Sequence, residues 1–455
     1  MTTLFIKRNQ IFSIALLAFL MVLPSSTHSQ SRTKSKSNYS ISNDGKGRIQ
    51  ITNNGKEFQI EYEGDITLSD DDKDIIAISN GGFVEIEQSS FGNRRRIVIE
   101  SDRNGNLIKK YYEGRTEKDF NPEGKEWLAD VLQEIVRSTT LAAEARVNRF
   151  YSKGGVNAVL AEIGRIESDY VNAAYFKLLL EKNLSNDELV KTIDVAGKKL
   201  ESDYYLASIL ESNQKAFLSN SQTVTAYINA AKSIESDHYL TSVLKKVVND
   251  KSITDAQMES LLEISKDVKS DHYMTQILTE VMDNRELNSQ NISRIISLSR
   301  EIQSDHYKTQ VLKKVINDKE LPVDAYDAFL GTLGDIKSDH YITTIISELI
   351  DNIGSSSGRY SLNKLLDIVK NTVQSDHYAS TIFKKMGEHD LTEDQLIAVL
   401  NSLSHIQSDH YMTQALSSFA DKVRRSSERV KAAYRTAAKS IGSDTYYGRA
   451  IKAID

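Results

Sequence analysis

The 455-residue chain contains no cysteine and only three prolines. Without cysteine it can form no disulfide, no thiolate metal site and no thiol nucleophile, and it cannot carry a lipid on an N-terminal cysteine. Because Pro24, Pro122 and Pro322 are so few, long helices are permitted almost everywhere. The formal net charge of -6 predicts no general attraction to nucleic acid or to anionic lipid.

Long hydrophobic runs are also scarce, and the one that stands out lies at the N-terminus. Lys7 and Arg8 precede an apolar run at residues 11–23, and small residues follow before Gln30. This pattern predicts a signal peptide at residues 1–29. The alternative is an uncleaved anchor, but spanning a bilayer takes about 20 residues. The mature chain is therefore expected to be exported, periplasmic or secreted, without stable membrane insertion.

After a polar linker at residues 30–37, which is predicted to be disordered, the hydrophobic period changes to two. The alternating segments are residues 48–52, 58–62, 83–87, 96–100 and 107–112. Asn54-Gly55 between the first two is a hairpin signal. Residues 38–118 are therefore predicted to form an antiparallel β domain, which could be an open sheet or a small barrel.

A helical junction is predicted at residues 119–154. Asn121 is expected to cap its first helix and Pro122 to occupy the first turn. Trp127, the only tryptophan, is expected to anchor this helix on the sheet. A second helix at residues 141–151 is expected to stop at Gly154-Gly155.

The most informative feature is a motif that occurs nine times at steps of 33 to 37 residues. The copies read SDYV, SDYY, six times SDHY, and SDTY; their serines are Ser168, Ser202, Ser236, Ser270, Ser304, Ser338, Ser375, Ser408 and Ser443. A regular period of this size indicates a repeat array in which each unit is one supersecondary element. Two helices per unit predict an α-solenoid of about nine 34-residue repeats over residues 155–455. The fold class is therefore α+β.

One repeat shows how the motif is expected to work. Ser270 is predicted to cap a helix, with Asp271 in the first turn where negative charge is favoured. Tyr273 is expected to head the apolar stripe and to fill the groove between helices. Asn288 or Ser289 is expected to cap the second helix of the repeat.

The six SDHY histidines invite a metal interpretation, but packed helices lie about 8–10 Å apart and zinc needs several ligands at about 2 Å. No metal and no cofactor is therefore predicted. Three histidines have a glutamine four residues later, on the face away from the apolar stripe: His272 with Gln276, His306 with Gln310, and His410 with Gln414. Stacked repeats would align these side chains, either as a surface that binds a protein or peptide partner or as an ordinary solvated face.

Two clusters in the β domain have alternative interpretations as well. Asp70, Asp72 and Asp74 match the first ligands of a calcium loop, but Ile75 and Gly81 occupy positions that an EF-hand needs as Gly and Glu. A looser calcium site and a solvated β-turn remain as alternatives, with the turn favoured. Arg94, Arg95 and Arg96 are either surface charge or a seat for a phosphate or an acidic partner.

Several stretches resemble a region of uncharacterised exported bacterial proteins, and related segments look like the extracytoplasmic extensions of membrane-bound metallopeptidase sensors of the antibiotic-sensing type. The stretches are residues 65–72 (DITLSDDD), 81–87 (GGFVEIE), 126–128 (EWL) and 144–147 (EARV), followed by Gly154-Gly155 and the repeats. The peptidase half of those sensors is not in this sequence. The resemblance implies a sensor-like or scaffolding module and transfers no catalytic residue.

No zinc-protease, serine-hydrolase, P-loop or dinucleotide motif is present in the sequence. The expected function is an exported binding or scaffold module of the cell envelope that binds a protein or peptide partner and no nucleic acid. The alternatives are a cell-envelope hydrolase with its site in the solenoid groove and a structural spacer.

Overall fold

The structure is a computed structural model that describes residues 36–41, 46–53, 56–90, 92–250, 253–318, 321–353 and 360–455. The predicted signal peptide, residues 30–35 of the predicted linker and the Asn54-Gly55 turn lie outside the described residues. The chain divides into two compact units, Met1–Leu184 (unit 1) and Ser185–Asp455 (unit 2).

Nine strands form the first part of unit 1. They are β1 (Lys36–Ile41), β2 (Lys46–Asn53), β3 (Lys56–Glu63), β4 (Ile66–Leu68), β5 (Ile75–Ile78), β6 (Phe83–Ser90), β7 (Asn93–Ser101), β8 (Leu107–Glu113) and β9 (Thr116–Lys118). Seven pair antiparallel in the order β1-β2-β3-β6-β7-β8-β9, and β4 pairs with β5 in a separate two-stranded sheet. The larger sheet is open, with β1 and β9 as its edges.

The alternating pattern explains which face of the sheet is buried. In β2 and β3, Ile49 lies opposite Ile60 and Ile51 opposite Phe58, and all four side chains are buried. Gln59, between Phe58 and Ile60, points to the exposed face. The buried face packs with β4, β5 and the first helix in one apolar core. The period of two therefore correctly predicted the strands that carry the core.

Three helices complete unit 1: α1 (Lys125–Ser138), α2 (Ala143–Ile163) and α3 (Asp169–Leu180). The expected start agrees with the structure: Asn121 has the extended backbone of an N-cap residue, Pro122 lies in the helical turn that follows, and regular α-helix begins at Lys125. The turn before it is pressed against β8, since a Cβ on Gly124 would lie 2.8 Å from Cβ of Tyr111. The anchoring role of Trp127 is confirmed: its ring is buried beside Tyr111 and its Nε1 donates to Gln88.

The predicted break at Gly154-Gly155 is also confirmed. Both glycines interrupt the helical backbone inside α2, and Gly155 has a φ of +60° that favours glycine. Residues 143–153 and 156–163 are therefore two helical segments separated by a kink.

Unit 2 consists of helices that alternate between two layers. The helices of one layer, which we call the motif helices, each begin at the aspartate of a motif. They are α5 (Asp203–Ser212), α8 (Asp237–Val248), α10 (Asp271–Asn284), α12 (Asp305–Asp318), α14 (Asp339–Ile353), α16 (Asp376–Gly387), α18 (Asp409–Arg424) and α20 (Asp444–Lys452). The second helices are α4 (Asn186–Lys199), α7 (Ser221–Ala231), α9 (Asp255–Ile264), α11 (Ser289–Ser299), α13 (Tyr326–Leu333), α15 (Leu362–Thr372), α17 (Glu393–Ser402) and α19 (Glu428–Ala438), and a short α6 (Gln214–Phe217) precedes α7.

Each motif helix packs on the next motif helix, and each second helix packs on the next second helix. The predicted fold class, α+β with an N-terminal antiparallel β domain and an α-solenoid of two-helix repeats, is therefore confirmed. Across the ranges that the structure describes, no helix combines the length and the apolar composition needed to cross a bilayer.

Candidate functional site: an aromatic ladder on the motif helices of unit 2

The motif serine occupies the predicted position but does not cap the helix with its side chain. Ser270 has extended backbone at the N-cap position, and its carbonyl accepts the first helical hydrogen bond from Met274. Its hydroxyl makes no capping hydrogen bond, and the same holds for Ser236, Ser375, Ser408 and Ser443. The expected serine side-chain cap is therefore wrong at these positions. The second helices do use such caps: Asn288, one of the two predicted candidates, accepts from Asn291.

The motif aspartate acts between repeats instead of within its own helix. The two carboxylate oxygens of Asp271 accept from the backbone N–H of Gln303, at 3.1 Å, and of Ser304, at 2.7 Å. Six more motif aspartates accept from the two backbone N–H groups just before the following motif helix: Asp203, Asp237, Asp376 and Asp409 use both carboxylate oxygens, and Asp305 and Asp339 use one. We call these seven residues the inter-repeat aspartates.

This bridge fixes how consecutive motif helices are aligned. Each inter-repeat aspartate satisfies backbone donors that the next helix start would otherwise leave without a partner, and it brings negative charge to that helix N-terminus. Equivalent side chains of neighbouring motif helices are thereby held side by side.

The residues that follow the aspartate form a continuous row of rings, which we call the aromatic ladder. It comprises Tyr204, Tyr205, His238, Tyr239, His272, Tyr273, His306, Tyr307, His340, Tyr341, His377, Tyr378, His410, Tyr411 and Tyr446. In the central repeats His272 contacts its neighbour Tyr273, with ring centroids 5.3 Å apart, and Tyr307 of the next repeat, at 5.8 Å. The rings meet mostly edge to face, which is a favourable arrangement for aromatic pairs.

The ladder is accessible from solvent. Its histidines and Tyr204 are exposed, and its other tyrosines are half-buried. Tyr273 also places its hydroxyl 3.2 Å from Nδ1 of His238. The ladder therefore offers ring faces, hydroxyls and imidazole nitrogens to a partner along its whole length.

The expectation that the motif tyrosine fills the groove between helices is wrong. Tyr273 lies half-buried on the ladder, and the buried stripe begins one residue later, at Met274. The stripe continues through Ile277, Leu278 and Val281. A step of one residue turns the helix by about 100°, so the tyrosine moves from the core to its edge.

The three predicted histidine–glutamine pairs are hydrogen-bonded in the structure. The glutamine Nε2 lies 2.9 Å from the histidine Nε2 in each of the pairs His272–Gln276, His306–Gln310 and His410–Gln414. These residues lie on one outward face, as the motif spacing predicts, and in the ladder the histidines contact tyrosines that were expected in the core. Their role in binding stays a prediction.

Farther along the motif helices, the sign of the charged side chains alternates from one helix to the next. Four ion pairs join these side chains across neighbouring helices. Lys245 of α8 pairs with Glu280 of α10 at 3.0 Å, Lys314 of α12 with Asp283 of α10 at 2.5 Å, Lys313 of α12 with Glu348 of α14 at 3.3 Å, and Lys385 of α16 with Asp351 of α14 at 2.8 Å. Lysine helices thus alternate with carboxylate helices. Over this stretch these charges are neutralised within the array.

The second predicted binding residues, Arg94, Arg95 and Arg96 of β7, do not form one cluster. Arg94 and Arg96 lie on one face and Arg95 on the other, because side chains alternate along a strand. Each is paired with a carboxylate: Arg94 with Glu87, Arg95 with Glu113 at 3.8 Å, and Arg96 with Glu85 at 3.4 Å. A binding role for these arginines stays a prediction, but their charge is already balanced by neighbouring strands.

Asp70, Asp72 and Asp74 lie in the predicted turn after β4, where the N–H of Asp72 donates to the carbonyl of Ser69 at 3.0 Å and Asp70 is exposed. Each has a cationic partner: Asp70 pairs with Lys153 at 2.8 Å, Asp72 with Arg149 and with Arg146 at 2.7 Å, and Asp74 with Lys109 at 2.5 Å. Asp72 is buried. The predicted turn is therefore confirmed, but it is not simply solvated, because cations from α2 and β8 pair with its carboxylates in place of a calcium ion.

Around Asp72 lies a buried charged network that sequence reasoning missed. Arg146, 1 % exposed, donates to Asp72, to Glu162 at 2.6 Å, to the carbonyl of Val136 at 3.2 Å and to the hydroxyl of Tyr175. The network ties the β4–β5 hairpin to α1, α2 and α3. Asp72 and Arg146 are 74 residues apart in the chain, so only the fold brings them together.

Two carboxyl groups of this network have lowered pKa values. Burial acts to raise the pKa of Asp72, but hydrogen bonds and positive charge from Arg146 and Arg149 outweigh it and hold that pKa below its ordinary value. For Glu162, burial is likewise outweighed by Arg137 and Arg146, and its pKa is lowered. Burial raises the pKa of Tyr175 to about 12, so its hydroxyl stays protonated at neutral pH.

We expect unit 1 to lose stability in acid. A carboxyl whose pKa is lower in the folded state stabilises the fold above its ordinary pKa, and this contribution disappears as pH falls toward the folded pKa. The ordinary values are 3.8 for Asp72 and 4.5 for Glu162, so the loss should begin below about pH 4.5. Fluorescence of Trp127, the only tryptophan, should report it. The Asp72→Asn variant should lose less stability than the parent over the same pH range. Equal pH dependence in parent and variant would show that Asp72 does not contribute to the acid loss.

Among the residues that the structure describes, no group of three or more histidine, aspartate or glutamate side chains could hold a metal ion. The candidate functional site is the aromatic ladder, because its rings are continuous from repeat to repeat and accessible from solvent.

Comparisons with known proteins add little to this geometry. No protein-family model matches the chain, and no curated protein does. Twelve solved chains match, among them one described as "Computational Design of Self-Assembling Cyclic Protein Homooligomers". It is 10 % identical over 70 % of this chain and 97 % of that chain, with a TM-score of 0.12. At that score the likeness supports no conclusion about function.

Proposed function

We propose that this protein is an exported binding or scaffold module of the cell envelope that holds an extended peptide segment of a partner along the aromatic ladder. The observation that carries the proposal is the continuity of the ladder from Tyr204 to Tyr446 across the motif helices. Export rests on the signal-peptide pattern at residues 1–29, and a sensor-like role rests on the resemblance described above.

The chemistry of the ladder suits a peptide. Tyrosine provides a large amphipathic contact with little conformational entropy to lose, which is why it is enriched in the binding surfaces of antibodies and other interfaces. Histidine and glutamine add donors and acceptors that can pair with peptide amides. Because the flanking lysines and carboxylates already pair with one another, the central ladder selects for shape and hydrogen bonds more than for charge.

The spacing of the ladder also suits an extended chain. Packed helices lie about 8–10 Å apart, and an extended peptide advances about 3.3 Å per residue. About three peptide residues would therefore span one repeat, so that a short extended segment of a partner would reach several histidine–tyrosine rungs.

The test uses a phage-displayed random peptide library selected on the full chain. We expect selected peptides to bind the variant H272A/Q276A/H306A/Q310A at least about tenfold more weakly, since a loss of 1.4 kcal/mol corresponds to tenfold. The four sites lie outside the buried stripe, so the free energy of unfolding should change by about 0.5 kcal/mol or less per site. Fluorescence polarisation and circular dichroism measure the two effects.

The matched control is E259A/S260A/Q290A/S297A, four exposed positions on the second helices α9 and α11. It should bind the selected peptides like the parent. Failure to select any peptide, or equal affinity for the parent and the ladder variant, would refute the proposal.

A further inference from the structure

The first motif helix of unit 2 departs from the others on its ladder side. Where six later repeats have histidine, α5 has Tyr204, and its ring is 52 % exposed. Three residues further, where the six later repeats have threonine or serine, it has Ala207. The next residue, Ser208, takes the place of glutamine in three of them. The smaller side chains leave space between α5 and α8.

That space is a cleft of about 450 Å³ lined by Tyr204, Ala207, Ser208, Glu211, Ser212, Tyr239 and Lys246. The rings of Tyr204 and Tyr239 form a corner, with centroids 6.1 Å apart and planes at 64°. Aromatic walls with a few polar groups are typical of small-molecule sites.

Two opposite charges border the cleft without neutralising each other. Half-buried Glu211 accepts a hydrogen bond from the hydroxyl of Ser242, and Lys246 is exposed at the rim. Neither side chain forms an ion pair with any of the described residues. The neighbouring Lys245, by contrast, is paired with Glu280 at 3.0 Å. At the cleft, a carboxylate and an ammonium group thus both remain available to a ligand.

We propose that this cleft binds a free aromatic α-amino acid. Its ammonium group would bind Glu211, its carboxylate would bind Lys246, and its ring would pack in the corner formed by Tyr204 and Tyr239. A ligand with only a cation would be repelled by Lys246, and a ligand with only an anion would be repelled by Glu211. A zwitterion satisfies both through charge-assisted hydrogen bonds.

The cleft overlaps the first rungs of the ladder at Tyr204 and Tyr239, but the variants that test peptide capture lie in α10 and α12, outside the cleft. Binding of an amino acid requires no partner chain and no residue beyond α8. The outcomes of the two tests are therefore independent.

The test is isothermal titration of the full chain with L- and D-phenylalanine, N-acetylphenylalanine and phenylalaninamide. At least one enantiomer of phenylalanine should bind. N-acetylphenylalanine lacks the ammonium group and phenylalaninamide lacks the carboxylate, so each should bind about tenfold more weakly, as expected for loss of one charged hydrogen bond. Binding of neither enantiomer, or equal binding of a blocked derivative, would overturn the proposal.

Variants locate the site. Ser208→Gln introduces the glutamine found at this position in three later repeats and should abolish binding by filling the cleft. Lys246→Gln, at an exposed rim position that a folded chain tolerates, should weaken phenylalanine about tenfold, but it should strengthen phenylalaninamide, because it removes the repulsion of that cation. Lys245→Gln, the adjacent lysine, should bind phenylalanine like the parent. Phenylalanine binding unaffected by both Ser208→Gln and Lys246→Gln would place the ligand elsewhere and refute this site.

Discussion

Replacing Arg146 by methionine is expected to destabilise unit 1 by about 3–5 kcal/mol, the cost of breaking a buried ion pair from one side. The variant would leave buried Asp72 and Glu162 with fewer donors and would leave the Val136 carbonyl and the Tyr175 hydroxyl without their partner. Urea unfolding followed by Trp127 fluorescence measures the loss, because the only tryptophan lies in the core of unit 1.

The control for this variant is Arg103→Met, at an exposed position in the turn before β8. It should change the free energy of unfolding by about 0.5 kcal/mol or less. Equal unfolding midpoints for Arg146→Met and Arg103→Met would show that the buried network contributes nothing to stability.

Replacing the inter-repeat aspartate Asp305 by alanine is expected to cost about 1.5–3 kcal/mol, the range for hydrogen bonds to a charged group. The variant removes the acceptor of two backbone N–H groups, those of Lys337 and Ser338. In repeat arrays the contacts between neighbours supply much of the stability, so the loss should affect the whole boundary between α12 and α14.

Hydrogen exchange measured by mass spectrometry checks this locally, and urea unfolding followed by circular dichroism checks it globally. Exchange should accelerate about tenfold or more in the peptide that contains Ser338, since tenfold corresponds to 1.4 kcal/mol. Asp367→Ala, at an exposed position on α15, should leave exchange at Ser338 unchanged. Unchanged protection in Asp305→Ala would refute the bridge between repeats.

The features that were predicted correctly from the sequence are those marked by a regular spacing or by a short local pattern of residues. Alternation in residues 48–52 and 58–62 predicted β2 and β3, because one face of a sheet must be apolar. The recurring motif predicted the two-helix repeats, and Gly154-Gly155 predicted the kink in α2. The alternation and the glycine pair are signals within a few residues, and the motif is a signal because it repeats at a regular step.

The features that it missed depend on partners far away in the chain. Asp271 lies in the first turn of its own helix as predicted, but its carboxylate also accepts from residues 32 and 33 positions later. Asp72 lies in the predicted turn, but its pairing with Arg146, 74 positions away, left no local signal in the sequence. Tyr273 was assigned to the core, although the period of 3.6 also fits a stripe that begins at Met274. The hydrophobic pattern alone does not distinguish a residue at the edge of the core from a residue inside it.

The alternating ion pairs have a consequence for the length of the array. In the central repeats, each lysine helix needs a carboxylate helix on both sides, as α12 has with α10 and α14. Loss or insertion of one repeat there would bring two lysine helices, or two carboxylate helices, face to face. Loss or insertion of two repeats would restore every pairing. The central array can therefore gain or lose repeats only in pairs if like charges are not to meet.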